Sequence, residues 1–181
     1  MSSTAASELW GTIAQDAIDE SSLWGDMLRP EPEREHEPVF SPLGEERHAL
    51  GLETIYEGYL VHYGTSRLFA PVDADAALLL GDYLYAHGLV RIASSGDVEA
   101  VADLSELISL CSQLRAEGAD GEGPLWAATA ALLGSGRELD APRAALRLRG
   151  DAAPLDAAAR TAAGDEAVAN SLAAHAGRLR A

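Results

Sequence analysis

The sequence predicts an all-α protein, a compact helical bundle of five to seven helices. Three observations carry this. Apolar residues recur at three- and four-residue spacing over most of the chain, with no run of strand-like alternation. Stop and start signals punctuate those stretches, notably Ser94-Ser95-Gly96-Asp97 and Gly134-Ser135-Gly136. Hydrophobic residues make up 48% of 181 residues, enough for one domain with a real core.

Residues 1–28 are expected to open the chain as a helix. Leu9, Ile13 and Ala17, with Trp10, Ala14 and Ile18 beside them, form neighbouring rows at four-residue spacing. Trp24, Met27 and Leu28 extend its apolar end, and core burial is preferred to docking for this face. Residues 29–46 follow as an acidic linker in which Pro30, Pro32, Pro38 and Pro42 forbid a continuous helix. Its Glu-His mixture is irregularly spaced, which reads as a solvated connector rather than a metal site. Val39 and Phe40 are candidates to pin it.

The bundle itself is assigned to residues 47–181. Ser41-Pro42 is a good helix start, and the helix is expected to run to about Phe69 with a break near Gly51. Leu52, Tyr56, Tyr59 and Tyr63 share one face of it, and Gly58 suggests close contact with another helix. Next comes the stretch taken as the centre of the fold, a helical hairpin over residues 74–113. Between Ala76 and Val90 only Asp82 and His87 ionise, so this helix is expected to be buried on all sides, with Asp82 a partnered buried carboxylate. Gly96 suits a left-handed stop and Asp97 an N-cap. The second arm has Val101, Leu104, Leu107, Ile108, Cys111 and Leu114 on one stripe.

Glu117 to Pro124 reads as a loop, Leu125 to Leu133 as a helix, and Pro142 to Arg149 as a helix with a solvated arginine face. One Ala-rich, weakly docked helix is expected from about Leu155 to Leu179.

The charge balance excludes several functions. There are 29 acidic residues against 13 basic ones, a formal charge of −16, and every basic residue is Arg. Nucleic-acid binding requires a basic face, and Schiff-base chemistry or a lysine phosphate site requires a lysine. Cys111 is alone on an apolar helix side, so neither a disulfide within the chain nor a zinc site is expected. The first residues lack the basic-then-apolar pattern of a secretory signal, and the most apolar run is broken by Asp82 and Arg91. A cytoplasmic protein that does not span a membrane is the expectation.

The stretch with Gly-Asp pairs at Gly81-Asp82 and Gly96-Asp97, preceded by LETIYEGYLVH from Leu52 to His62, gives residues 52–134 a resemblance to trans-polyprenyl diphosphate synthases, the isoprenoid-synthase family. LLLGDYLYAHGLVRIASSGDVEAVADLSELISLCSQ is similar to that family's helix pair, with Gly-Asp pairs here at Gly81-Asp82 and Gly96-Asp97. Leu52 to His62, LETIYEGYLVH, is similar to the family helix ending in Leu-Val-His before the first aspartate-rich motif. Leu125-Trp126-Ala127-Ala128 weakly matches a later family helix. The resemblance implies a truncated isoprenoid-synthase fold.

It also implies loss of the family chemistry. The three metal-binding aspartates would fall on Tyr63, Gly64 and Arg67, just after His62, and none of these holds Mg²⁺. The stretch where the second motif should stand, SGRELDAPRAALRLRGD, has no aspartate pair, and the Lys-Thr position reads Gly121-Glu122. Hence no catalytic residue, metal or cofactor is assigned, and the leading expectation is a non-catalytic partner or regulatory subunit of a catalytic prenyl diphosphate synthase, in a homodimer or heterodimer. Two alternatives stand beside it. One is a prenyl-lipid binding module or structural homodimer, with Tyr56, Tyr59, Asp82 and His87 lining a pocket. The other is an enzyme of unrelated chemistry, although Asp82 and His87, five apart, diverge too far to form an acid/base pair.

Overall fold

The computed structural model describes residues 3–179, which form an all-α bundle. Nine α-helices are formed among the described residues: α1 (Ser3–Glu20), α2 (Ser22–Asp26), α3 (Ala49–Tyr63), α4 (Ala74–Ser94), α5 (Val98–Glu117), α6 (Glu122–Leu132), α7 (Asp140–Arg149), α8 (Ala153–Ala163) and α9 (Asp165–Ala176). The excess over five to seven comes from breaks in stretches expected to be continuous. Ser21 ends α1 and caps α2, its hydroxyl accepting from the Leu23 amide. Gly164, at φ +90°, divides the C-terminal stretch into α8 and α9, a conformation costly for any residue with a Cβ.

The start and end of α3 also differ from expectation. Ser41–Leu43 makes only one 3₁₀ turn, because the chain at Gly44 turns extended and passes against the carbonyl of Ala130. A second 3₁₀ turn, Glu46–His48, leads into α3. The helix stops at Tyr63 rather than Phe69, with Gly64 extended beyond it.

The buried centre is α3, not α4. Every residue of α3 from Gly51 to Val61 is buried. Two carboxylates, Glu53 and Glu57, disguised that burial in the sequence. By contrast α4 is buried on one side only, with Leu78, Leu79 and Val90 more than half exposed. Its scarcity of charge describes a bare surface rather than an interior.

Two cores lie on either side of α3. One gathers Leu52, Tyr56 and Tyr59 with Leu104 and Cys111 of α5, Trp126 of α6, Leu155 of α8 and Val168 of α9. The other gathers Trp10 and Ile13 of α1, Val61 of α3, Leu68, Phe69, and Leu80 and Leu84 of α4. The face of α1 is thus core, as the periodicity suggested. Leu155 and Val168 are fully buried, so the C-terminal helices are firmly docked rather than loosely attached.

A glycine seam joins α3 to α4. Gly51 and Gly58 lie seven apart on α3, and Gly81 and Gly88 lie seven apart on α4. A Cβ on Gly58 would stand 2.9 Å from the Gly81 carbonyl oxygen, and one on Gly88 would stand 2.8 Å from that of Gly51. The antiparallel helices therefore touch backbone to backbone, the close contact expected of Gly58.

The turn between α4 and α5 follows the sequence. Gly96 has φ +79°, and the Asp97 carboxylate accepts from the Ala100 amide. That bond, aided by His48 and Arg47, holds the Asp97 carboxyl below its ordinary range. In the Pro-rich stretch Val39 and Phe40 are buried, which ties it to the core. Arg143 departs from the solvated arginine face assigned to α7. It is buried, and its Nη1 donates to Asp103 at 2.8 Å.

Candidate functional site

The stretch beyond α3 is occupied by the protein's own side chains. Glu53 and Glu57 lie four apart, hence on one helical face, and Arg67 returns to sit between them. Its Nε donates to Glu57 Oε1 at 2.5 Å, and its Nη1 donates to Glu53 Oε2 at 2.8 Å and to the Glu37 carbonyl at 2.9 Å. The Ser66 hydroxyl donates to Glu57 at 2.5 Å. The amides of Val39 and Ser41 donate to Glu53 at 3.2 and 3.0 Å. The guanidinium carbon lies 4.3 Å from the Trp10 ring centroid and 5.0 Å from that of Tyr56. All three charged side chains are fully buried. Burial alone would lower the Arg67 pKa, but the two carboxylates outweigh it and raise the value.

An aromatic cluster fills the next layer. Tyr56 and Tyr59, both fully buried, stack at 5.9 Å. Trp126 meets them edge-on at 5.0 and 5.5 Å, and Phe40 meets Tyr56 edge-on at 5.1 Å. His175 of α9 enters the same cluster, its Nδ1 2.9 Å from the Tyr56 hydroxyl. Burial, with a smaller contribution from the Arg115 charge, pushes His175 down to about 4. The Tyr59 hydroxyl accepts from Arg115 Nη2 at 2.8 Å, and Arg115 Nε donates to Glu122 at 2.7 Å. Burial raises both phenols and also the Cys111 thiol, which makes Cys111 an inert core residue.

The residues singled out in the sequence separate into distinct groups. Tyr63 is half-buried, 5.3 Å from Tyr59 and 5.5 Å from His62. Gly64 forms an isolated antiparallel bridge with Leu179, and the Thr65 amide donates to the Arg178 carbonyl at 2.8 Å. The segment after α9 therefore lies across the end of α3. The His62 ring fills the space a Cβ on Gly81 would need, and its Nε2 is 3.3 Å from Asp82. Burial lowers the His62 pKa against the opposing pull of Asp82. Asp82 is not a buried carboxylate, since 66% of its side chain is exposed. It lies on the outer side of α4, which the expectation of all-round burial overlooked. His87 faces the other way and pairs with Asp16 of α1 at 3.2 Å, where Arg91 also meets Asp16. Asp82 and His87 thus serve different partners, as five-residue spacing requires.

Four groups central to this region were not singled out from sequence: Glu53, Glu57, His175 and the Arg115–Glu122 pair. The signal for the first two was present as carboxylates at four-residue spacing in an otherwise uncharged helix. For His175 no local signal exists, because its partner Tyr56 is 119 residues away.

Among the described residues no three His, Cys, Asp or Glu side chains gather so as to hold a metal ion. No described helix is long and apolar enough to cross a membrane. No protein-family model, curated protein or solved structure matches this chain.

Proposed function

We propose that this chain is a non-catalytic protein of prenyl-synthase type, acting as a partner or regulatory subunit of a catalytic polyprenyl diphosphate synthase in isoprenoid biosynthesis. One observation carries the reading. The two carboxylates borne by α3, Glu53 and Glu57, are fully buried and engaged with Arg67. Prenyl transfer depends on Mg²⁺ held by open oxygen ligands at the diphosphate. Here a covalently attached cation takes that carboxylate pair. The segment bearing Arg178 and Leu179 also lies across the end of α3.

The packing of Tyr56 and Tyr59 against Phe40, Trp126 and His175 favours a filled core there over a prenyl-lipid tunnel. Asp82 and His87 do not pair with each other, which removes the combination weighed for an unrelated enzyme.

The test has two parts. Purified protein given prenyl diphosphates, with and without Mg²⁺, is expected to produce no chain elongation. Affinity purification from the native host is expected to bring down a synthase carrying both aspartate-rich motifs. Turnover in the first part, or no synthase in the second, overturns the proposal.

A further inference from the structure

We propose that the bond between Asp120 and Gly121 is a modification site, where the aspartate converts to isoaspartate without an enzyme. The inference holds whatever the chain partners.

The chemistry selects this bond. The amide nitrogen of the following residue attacks Cγ of the aspartate. The N–Cγ bond forms, the nitrogen gives up its proton, and the protonated carboxyl loses water, which closes a five-membered succinimide. Water then adds to one of the two ring carbonyls. Addition at Cγ breaks the new bond and restores aspartate. Addition at the main-chain carbonyl carbon breaks the original bond and leaves the chain running through Cγ, as isoaspartate. The water lost in the first step returns in the second, so no other reactant is needed. A side chain on the attacking residue crowds its nitrogen, and glycine has none. Asp120 is the only aspartate in the chain that precedes a glycine.

The fold leaves this bond open to reaction. Asp120 is exposed and lies outside regular structure, between α5 and α6. Gly118 at φ +63° and Gly121 at φ +120° take the backbone out of the helical conformation on either side. The Ala119 amide is held by the Leu114 carbonyl at 2.9 Å, and the Leu125 amide by the Gly121 carbonyl at 3.2 Å. The Gly121 amide donates to no backbone carbonyl among the described residues. The chain's one asparagine, Asn170, could close the same ring, but it lies inside α9, where the attacking amide is held by the preceding turn.

The product strikes a crowded joint. Isoaspartate lengthens the main chain by one methylene at the entry to α6. Gly121 is pressed against α7, where a Cβ would stand 2.5 Å from Leu146 Cδ1. Glu122 follows directly, its side chain only 8% exposed. It accepts from Arg115 Nε at 2.7 Å, while Arg115 Nη2 donates to the Tyr59 hydroxyl at 2.8 Å. The added atom therefore displaces the ion pair that ties α5 and α6 to α3.

The full chain is incubated for several weeks near neutral pH. It is then treated with an isoaspartyl methyltransferase and labelled S-adenosylmethionine, which marks the free α-carboxyl of isoaspartate. Label is expected to rise with time and to map to the tryptic peptide from Ala116 to Arg137, whose only aspartate is Asp120. Asp120→Glu, which requires a larger ring, is expected to take no label. Asp120→Asn is expected to take it several-fold faster, releasing ammonia in place of water. The aged wild type is expected to melt a few degrees below the fresh protein, and aged Asp120→Glu to melt unchanged. A folded chain that takes no label while the urea-unfolded chain does, or label that maps elsewhere or survives Asp120→Glu, overturns the inference. A labelled chain with an unchanged melting temperature overturns the coupling to Glu122.

Discussion

Gly58 of α3 lies so close to Gly81 of α4 that a Cβ on Gly58 would stand 2.9 Å from the Gly81 carbonyl oxygen. With Gly51 and Gly88 seven residues away on each helix, this contact fixes how near the two helices run. Everything placed by α3 depends on that approach, including the carboxylates that hold Arg67.

Gly58→Ala and Gly88→Ala are therefore expected to destabilise the protein by about 1–3 kcal/mol, because steric overlap exceeds the gain in helix propensity. Gly11 of α1 has no atom within 4 Å of the space a Cβ would occupy. Gly11→Ala is expected to stabilise by roughly 0.5–1 kcal/mol. Urea denaturation of the three variants checks the opposite signs.

The Arg67 cluster allows a second prediction. Arg67→Met leaves Glu53 and Glu57 buried without their cation, and a loss of roughly 3–5 kcal/mol is expected. Adding Glu53→Gln and Glu57→Gln to Arg67→Met is expected to restore part of that loss, because the two uncompensated charges are then gone. Thermal unfolding of the single and triple variants distinguishes charge burial from simple loss of packing.

These two cases show how far the sequence could be read. Gly58 and the Gly96-Asp97 turn were legible because a glycine's missing side chain and an N-cap are local features. The all-α class followed from local periodicity in the same way. The buried centre was misplaced because Glu53 and Glu57 look like surface residues until Arg67, 14 and 10 positions along, is seen to neutralise them. The same long-range pairing hid Arg143 and His175. The exposed face of α4 was misread for the converse reason, since an apolar helix face looks alike whether it meets core or solvent.

His175 gives a pH dependence. Its pKa in the folded protein is about 4, below the ordinary value of 6.5. Below pH 6.5 the unfolded chain takes up a proton that the folded protein refuses until near pH 4. The contribution is therefore neutral above that window, and stability is lost as pH falls through it. Between about pH 7.5 and pH 5 the loss attributable to His175 is roughly 2 kcal/mol. Comparing the wild type with His175→Gln over that range isolates it from the many carboxylates. A stability difference between the two proteins that does not change with pH would contradict the assignment.

Self-repulsion at a charge of −16 predicts stabilisation by salt. Raising NaCl from about 0.1 M to 1 M shortens the screening length from roughly 10 Å to 3 Å. The melting temperature is expected to rise by on the order of 5 °C. The contribution of Arg67, being buried, is expected to stay nearly constant across that series.

The most direct test of the central claim is an elongation assay of the purified chain with isopentenyl and allylic prenyl diphosphates at saturating Mg²⁺. With the α3 carboxylates Glu53 and Glu57 occupied by Arg67, no longer prenyl product is expected above the protein-free background. Elongated product from this chain alone would contradict the account.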